Sequence, residues 1–270
     1  MKILLTGASG FIGKHVLIEL LKTPHEIIII SRKPASEFNK YKNVKVFNFD
    51  INNQDKNIYK KLGKPDHLIH LAWEGLPNYN SPFHFETVLP NQFMFLKNLI
   101  KEGLGSLFIT GTCFEYGNLS GSLLPSLNTN PTNPYGFAKD ALRRELEFLK
   151  LKFDFEFIWA RLFYIYGKGQ SEKSIYTSLI NAVKNGDSVF NMSNGDQLRD
   201  YLPVEKVAKS IVEKSLNIKN TKIINICSGK PISVRNLVEK WISENKWNIE
   251  LNLGFYPYPD YEPFAFWGSN

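Results

Sequence analysis

Tyr135-Gly136-Phe137-Ala138-Lys139 places a phenol and an ammonium group at i and i+4. On a helix these lie on one face, one turn apart. A phenol titrates near pH 10 and is a poor acid–base catalyst near neutrality; a neighbouring cation improves it. Tyr135 and Lys139 could therefore move a proton together, although the same spacing also occurs on purely structural helices. Upstream, Ile109-Thr110-Gly111-Thr112-Cys113-Phe114-Glu115-Tyr116-Gly117 offers hydroxyls. Thr112 is the candidate to hydrogen-bond a substrate carbonyl or hydroxyl. Thr110 reads as a packing or cofactor contact.

Thr6-Gly7-Ala8-Ser9-Gly10-Phe11-Ile12-Gly13 lies between a strand-like Lys2–Thr6 and a helical stretch beginning at Phe11. Glycines at this spacing let the chain turn sharply and let a pyrophosphate approach the backbone. The helix N-terminus then offers unpaired N–H groups and a positive dipole end. The context predicts a dinucleotide site formed by Gly7, Ser9, Gly10, Phe11, Ile12 and Gly13. At the end of the second strand an acid would bind the free 2′-hydroxyl of NAD. Ser31-Arg32-Lys33 stands there instead, which suits the 2′-phosphate of NADP; the alternative is a solvated basic turn. Asp50-Ile51 follows the third strand, where Asp50 could meet the adenine amino group or cap a helix. Leu71 and Ala72, after the fourth strand, complete the candidate cofactor set with Thr110 and Lys139.

The elements that must position these groups alternate. Strands are expected at 2–6, Glu26–Ile30, Val44–Phe49, His67–Leu71, Leu107–Thr110 and Asp154–Arg161, with helices at Phe11–Leu21, Pro82–Lys101 and Tyr135–Leu151. Short connections and continuously apolar strands imply an α/β fold, a doubly wound parallel (Rossmann) sheet covered on both faces. Beyond residue 162 the pattern is less regular, with helices near 171–185, 204–216 and 233–244 and short strands near 188–191, 222–226 and 249–253. The expectation is a dinucleotide domain over 1–165, completed by parts of the later chain, and a smaller substrate lobe with a C-terminal arm over 166–270.

Composition bounds the partners. The 270 residues carry a formal charge of +7, but the basic residues are spread along the chain among acids, so nucleic acid is not expected. No segment approaches the ~20 apolar residues of a membrane span, and no secretory signal is visible, so a cytoplasmic protein is expected. Cys113 and Cys227 lie far apart, and His67 and His70 sit at odd spacing on one strand, pointing to opposite faces; no metal site is expected.

The glycine loop, the order Thr112…Tyr135…Lys139, and the segments Arg161-Leu162-Phe163-Tyr164-Ile165-Tyr166-Gly167 and Arg199-Asp200-Tyr201-Leu202-Pro203-Val204 resemble the extended short-chain dehydrogenase/reductase family over nearly the whole chain. That family includes nucleotide-sugar epimerases, 4,6-dehydratases and 4-ketoreductases. The resemblance implies that Arg199 pairs with a substrate diphosphate, for which a guanidinium is well shaped; the alternative is an ion pair with Asp196 or Asp200. It places Cys113 and Tyr164 in the substrate site, with Tyr164 where the family often has Asn. Dehydratases of the family carry an Asp-Glu pair directly after the threonine. Cys113 and Phe114 stand there, which disfavours dehydration.

His70-Leu71-Ala72-Trp73-Glu74-Gly75-Leu76-Pro77 and Tyr258-Pro259-Asp260-Tyr261-Glu262-Pro263 are similar to segments of bacterial reductases acting on dTDP-linked 4-keto-6-deoxy sugars. Trp73 could stack on the sugar or base, or simply pack. The implied activity is NADPH-dependent 4-keto reduction in the making of bacterial surface polysaccharide such as O-antigen. A reductase must exchange its cofactor, which agrees with Ser31-Arg32-Lys33. The rivals are an epimerase holding NAD and a non-catalytic dinucleotide sensor. A homodimer through Pro82–Lys101 and Tyr135–Leu151 is also implied, with Phe83, Phe85, Phe93 and Phe95 as core or interface.

Overall fold

The computed structural model describes residues 1–33, 36–38, 40–53, 55–258 and 262–270. Seven strands form one parallel sheet: β1 (Lys2–Thr6), β2 (Glu26–Ser31), β3 (Val44–Asn48), β4 (His67–His70), β5 (Ser106–Thr112), β6 (Glu156–Leu162) and β7 (Lys222–Ile226). Their order is β7-β6-β5-β4-β1-β2-β3. The chain reverses direction across the sheet between β1 and β4. In open parallel sheets ligands bind at that switch, beyond the strands' carboxyl ends.

Alternation of side chains divides the core between two faces. Leu4, Ile28, Leu68, Leu107 and Trp159 lie beneath α3 (Leu89–Lys101) and α4 (Pro134–Leu149). Ile3, Leu5, Ile27, Phe108 and Ile158 lie beneath α1 (Phe11–Leu20) and α6 (Val204–Ser215). The central strands are buried at nearly every position because both faces are covered. The remaining helices are α2 (Ile58–Lys61), α5 (Ile175–Asn185) and α7 (Val234–Asn245).

Three local features add to the sequence reading. The strand near 222–226 pairs with β6 as the edge of the main sheet, so it is one of the later pieces that complete it. The helix expected from Pro82 begins with one wide turn at His84–Val88 before α3. Pro90 lacks the N–H that would bond the turn before it, which favours such a turn. Third, the arm ends in Phe266–Gly268, which pairs in parallel with Gly121–Leu123.

The lobe over the sheet's carboxyl edge has its own apolar cluster. Leu179, Phe190, Leu237, Val238 and Trp241 gather α5, α7 and the paired strands Val189–Asn191 and Glu250–Asn252.

Candidate active site

Gly7 turns the chain out of β1 with φ +74°, and its carbonyl accepts the Gly10 N–H at 3.0 Å. A Cβ on Gly13 would stand 2.0 Å from that carbonyl, and one on Gly7 would stand 2.9 Å from the Ala72 nitrogen. The loop is therefore folded tightly enough to bring backbone against a ligand. Gly10 caps α1 without any side chain, so the first N–H groups of the helix are left for an anion. These features fit a dinucleotide pyrophosphate.

A cavity of about 230 Å³ lies beside the loop, between Gly7, Gly10, Ser31, Arg32, Asp50, Ile51, Leu71 and Glu74. Ser31 donates its hydroxyl to the Lys33 carbonyl, and Arg32 is ion-paired with Glu74. Asp50 accepts the Asn52 N–H at 3.0 Å, so its carboxylate closes a local turn there and caps no helix; α2 begins only at Ile58. Thr6 organises the end of β4: its hydroxyl oxygen accepts the N–H groups of Leu71 and Ala72 and contacts His70 Nδ1.

A larger cavity of about 530 Å³ adjoins the first at Leu71 and Trp73. Thr110, Thr112, Cys113, Tyr135, Lys139 and Tyr164 line it, as do Phe11 and Ile12 from the first turn of α1. β5 runs on to Thr112 and then closes in a capping box. Thr112 accepts the Phe114 N–H, and Glu115 accepts the Thr112 N–H at 2.9 Å. Glu115 also accepts Trp159 Nε1 and pairs with Arg161 at 2.7 Å, fully buried. Its charge is thus committed to holding Thr112.

Asn133 caps α4 by accepting the Gly136 N–H, which sets Tyr135 in the first turn facing Thr112. Tyr135 and Thr112 line the same cavity. Burial pushes the phenol well above its ordinary range, so it is held protonated. Trp73, Tyr79, His84 and Phe114 surround its ring at 5.3–6.4 Å between centroids. Lys139, one turn on, donates to the Thr110 carbonyl at 2.8 Å, and its ammonium lies over the Trp73 ring. Burial lowers the Lys139 amine to about 7. The Lys139 ammonium stands 5.9 Å from the centre of the Tyr135 ring, and burial is the largest influence on the phenol. Trp73 donates to His84 Nδ1, so His84 carries its proton on Nε2 and donates to the Asn78 carbonyl at 2.8 Å.

Arg199 is engaged within the protein. It is buried, makes an ion pair with Glu262 at 2.9 Å, donates to the carbonyls of Leu198 and Phe264, and stacks on Phe266 and Tyr164. Asp196 and Asp200 are not its partners: Asp196 accepts from Tyr258, and Asp200 accepts the N–H groups of Ser228 and Gly229. Glu262 also accepts the Tyr164 hydroxyl at 2.5 Å and lines the large cavity. Arg199 is not among the lining residues; Lys173 is, exposed at the mouth. Pro259, Asp260 and Tyr261 of the tail motif lie outside the described residues.

Glu74, Tyr79, His84, Lys173 and Glu262 are the site residues that the sequence reading did not assign a role. Glu74 and Glu262 stand in the two segments compared with the reductases and the other three in no motif, and each enters through a loop, a one-turn excursion or the C-terminal arm. Of the aromatic set, Phe95 is core, Phe93 is partly buried, and Phe83 and Phe85 are exposed. Phe85 meets the exposed Phe137 of α4 edge-on at 6.0 Å. No helix among the described residues is long and apolar enough to cross a membrane.

The profile of the NAD dependent epimerase/dehydratase family matches residues 3–227. The chain is 31% identical to a dTDP-6-deoxy-L-talose 4-dehydrogenase (NAD(+)) of Aggregatibacter actinomycetemcomitans, covering 100% of both chains. It is 24% identical to the dTDP-4-dehydro-6-deoxyglucose reductase of Escherichia coli, over 94% of this chain and 84% of that one. Among solved structures, MoeE5 in complex with UDP-glucuronic acid and NAD superposes with a TM-score of 0.83 at 21% identity, over 100% of this chain and 90% of the other.

Proposed function

The chain belongs to the NAD dependent epimerase/dehydratase family, and from that premise we propose that it reduces the 4-keto group of a dTDP-linked 4-keto-6-deoxyhexose, reversibly, in bacterial deoxysugar biosynthesis. The observation that carries this is the convergence of Thr112, Tyr135 and Lys139 on one cavity that opens at Leu71 and Trp73 onto the glycine-loop cavity. Two relatives whose names place their reactions at C4 of dTDP-linked 6-deoxy sugars support the substrate class.

When bound, the nicotinamide supplies the hydride for C4. Thr112 and Tyr135 hydrogen-bond the carbonyl oxygen, and Tyr135 gives it a proton. A phenol held protonated by burial is the donor form that reduction requires. Lys139, fixed by the Thr110 carbonyl, orients the nicotinamide ribose. Cys113 and Phe114 supply no carboxylate beside Thr112, so water loss has no acid or base there. Phe114, Leu162 and Phe163 give the apolar wall that a C5 methyl needs. Lys173 offers positive charge for the diphosphate at the mouth.

NADPH as donor rests on Ser31-Arg32-Lys33. The observation favouring NADH instead is the Arg32–Glu74 pair, which leaves the guanidinium already compensated. A homodimer is proposed through the face where Phe85 meets Phe137.

The test is a panel of 4-keto-6-deoxy nucleotide sugars offered with NADH or NADPH, followed at the nicotinamide absorbance. The Tyr135→Phe variant is expected to lose about 10²–10⁴-fold in kcat while still binding cofactor. Near-normal turnover would sink the assignment, and so would absence of oxidation with every sugar.

A further inference from the structure

We infer that Glu74 selects the cofactor: presented from the end of β4, its carboxylate reads the adenosine ribose and turns the site toward NAD against NADP. The inference rests on the dinucleotide reading of the glycine loop and deepens it.

Three observations converge. First, Glu74 and Asp50 are the carboxylates lining the 230 Å³ cavity beside the loop. Asp50 holds the Asn52 N–H in the turn after β3, whereas Glu74 is the one that reaches Arg32 beside the glycine loop. Second, Glu74 spans the cavity. One oxygen pairs with Arg32 at the end of β2, and the other accepts Asn52 Nδ2 at 3.5 Å at the end of β3. The parallel order β4-β1-β2-β3 brings these three strand ends to one side of the glycine loop. Third, two of the three groups that would greet a 2′-phosphate are engaged. Ser31 points to the Lys33 carbonyl, and Arg32 is held by Glu74.

The chemistry follows from charge. A carboxylate accepts a hydrogen bond from a ribose 2′-hydroxyl and repels a 2′-phosphate. In many dinucleotide sites the acid comes from the end of β2. Here that position holds Arg32, and the acid reaches the same place from β4. Glu74 also neutralises the cation that would otherwise hold the phosphate, so one residue acts twice in the same direction. Removing its charge frees Arg32 for the competing cofactor.

Binding is measured by titrating NADH and NADPH into the full-length protein, with tryptophan quenching and calorimetry as readouts, so no sugar substrate is involved. The parent is expected to bind NADH at least tenfold more tightly than NADPH. Glu74→Gln, which keeps the shape, should move that ratio tenfold or more toward NADPH. Adding Arg32→Ala to Glu74→Gln should remove the gain. A parent that prefers NADPH overturns the inference, and so does a Glu74→Gln ratio equal to the parent's. If neither cofactor binds, the dinucleotide reading itself fails, and the inference with it.

Discussion

The Lys139 ammonium nitrogen lies 4.0 Å from the centre of the Trp73 ring and 2.8 Å from the Thr110 carbonyl oxygen. Burial favours the neutral amine, while the ring and the carbonyl favour the charged one. The outcome is a lysine that titrates at about 7. If the charged form orients the ribose, reduction declines as pH rises through that value. Trp73→Leu removes a cation–π contact of about 0.5–2 kcal/mol. The alkaline limb of the pH–rate profile should then move down by roughly half to one and a half pH units. A limb that stays in place would remove Lys139 from the titration.

The same amine makes stability depend on pH. Its folded value lies below the unfolded one, so between about 7 and 10.5 the unfolded chain binds the extra proton. Parental stability should therefore rise with pH across that window, relative to Lys139→Met, by on the order of 1 kcal/mol per pH unit. Below pH 7 both states are protonated and the difference between the two proteins should level off. Denaturant melts of both proteins at pH 6, 8 and 9.5 measure it, and a constant gap contradicts the buried amine.

The sheet, the glycine loop and the Thr112–Tyr135–Lys139 group were legible because each rests on local rules. Apolar runs mark buried strands, glycines at Gly7 and Gly13 mark a turn that excludes Cβ, and i, i+4 spacing puts two side chains on one face. The partners of Arg32 and Arg199 were not legible. Glu74 is 42 residues from Arg32 and Glu262 is 63 from Arg199 in the chain. Neither pairing leaves a periodic trace, because loops and arms are placed by tertiary contacts. The edge strand β7 was expected as a strand but given no place in a sheet, for a similar reason. Its apolar pattern identifies a strand, but nothing local says which sheet it joins.

Glu115 shows how a buried acid can serve the site without touching substrate. Its oxygens take the Thr112 N–H, the Trp159 indole N–H and the Arg161 guanidinium. Glu115→Gln keeps the shape but leaves Arg161 without its counter-charge, and breaking a buried pair costs about 3–5 kcal/mol. A lower melting midpoint is expected, together with a drop in kcat larger than any rise in cofactor Kd, because Thr112 would lose its anchor. Equal loss in kcat and in cofactor binding would mark a general unfolding effect instead.

Glu262 and Arg199 test which role the arm plays. Their pair is almost entirely removed from water, with side chains 10% and 4% exposed, and the remaining guanidinium donors hold the carbonyls of Leu198 and Phe264. A guanidinium so engaged fastens the arm beneath the substrate cavity, with Tyr164 locked onto the other oxygen of Glu262. Glu262→Gln should weaken both contacts, raise the substrate KM several-fold and lower the melting midpoint. Glu262→Ala, which leaves Arg199 as an unpaired buried charge, should lose about 3–5 kcal/mol. The alternative, that Arg199 waits to exchange Glu262 for a diphosphate, makes the opposite kinetic statement. Freed of its internal anion, Arg199 would then bind substrate more tightly, and the KM of Glu262→Gln would fall. Steady-state kinetics with the nucleotide sugar, alongside thermal melts of the same preparations, separates the two by the sign of the change.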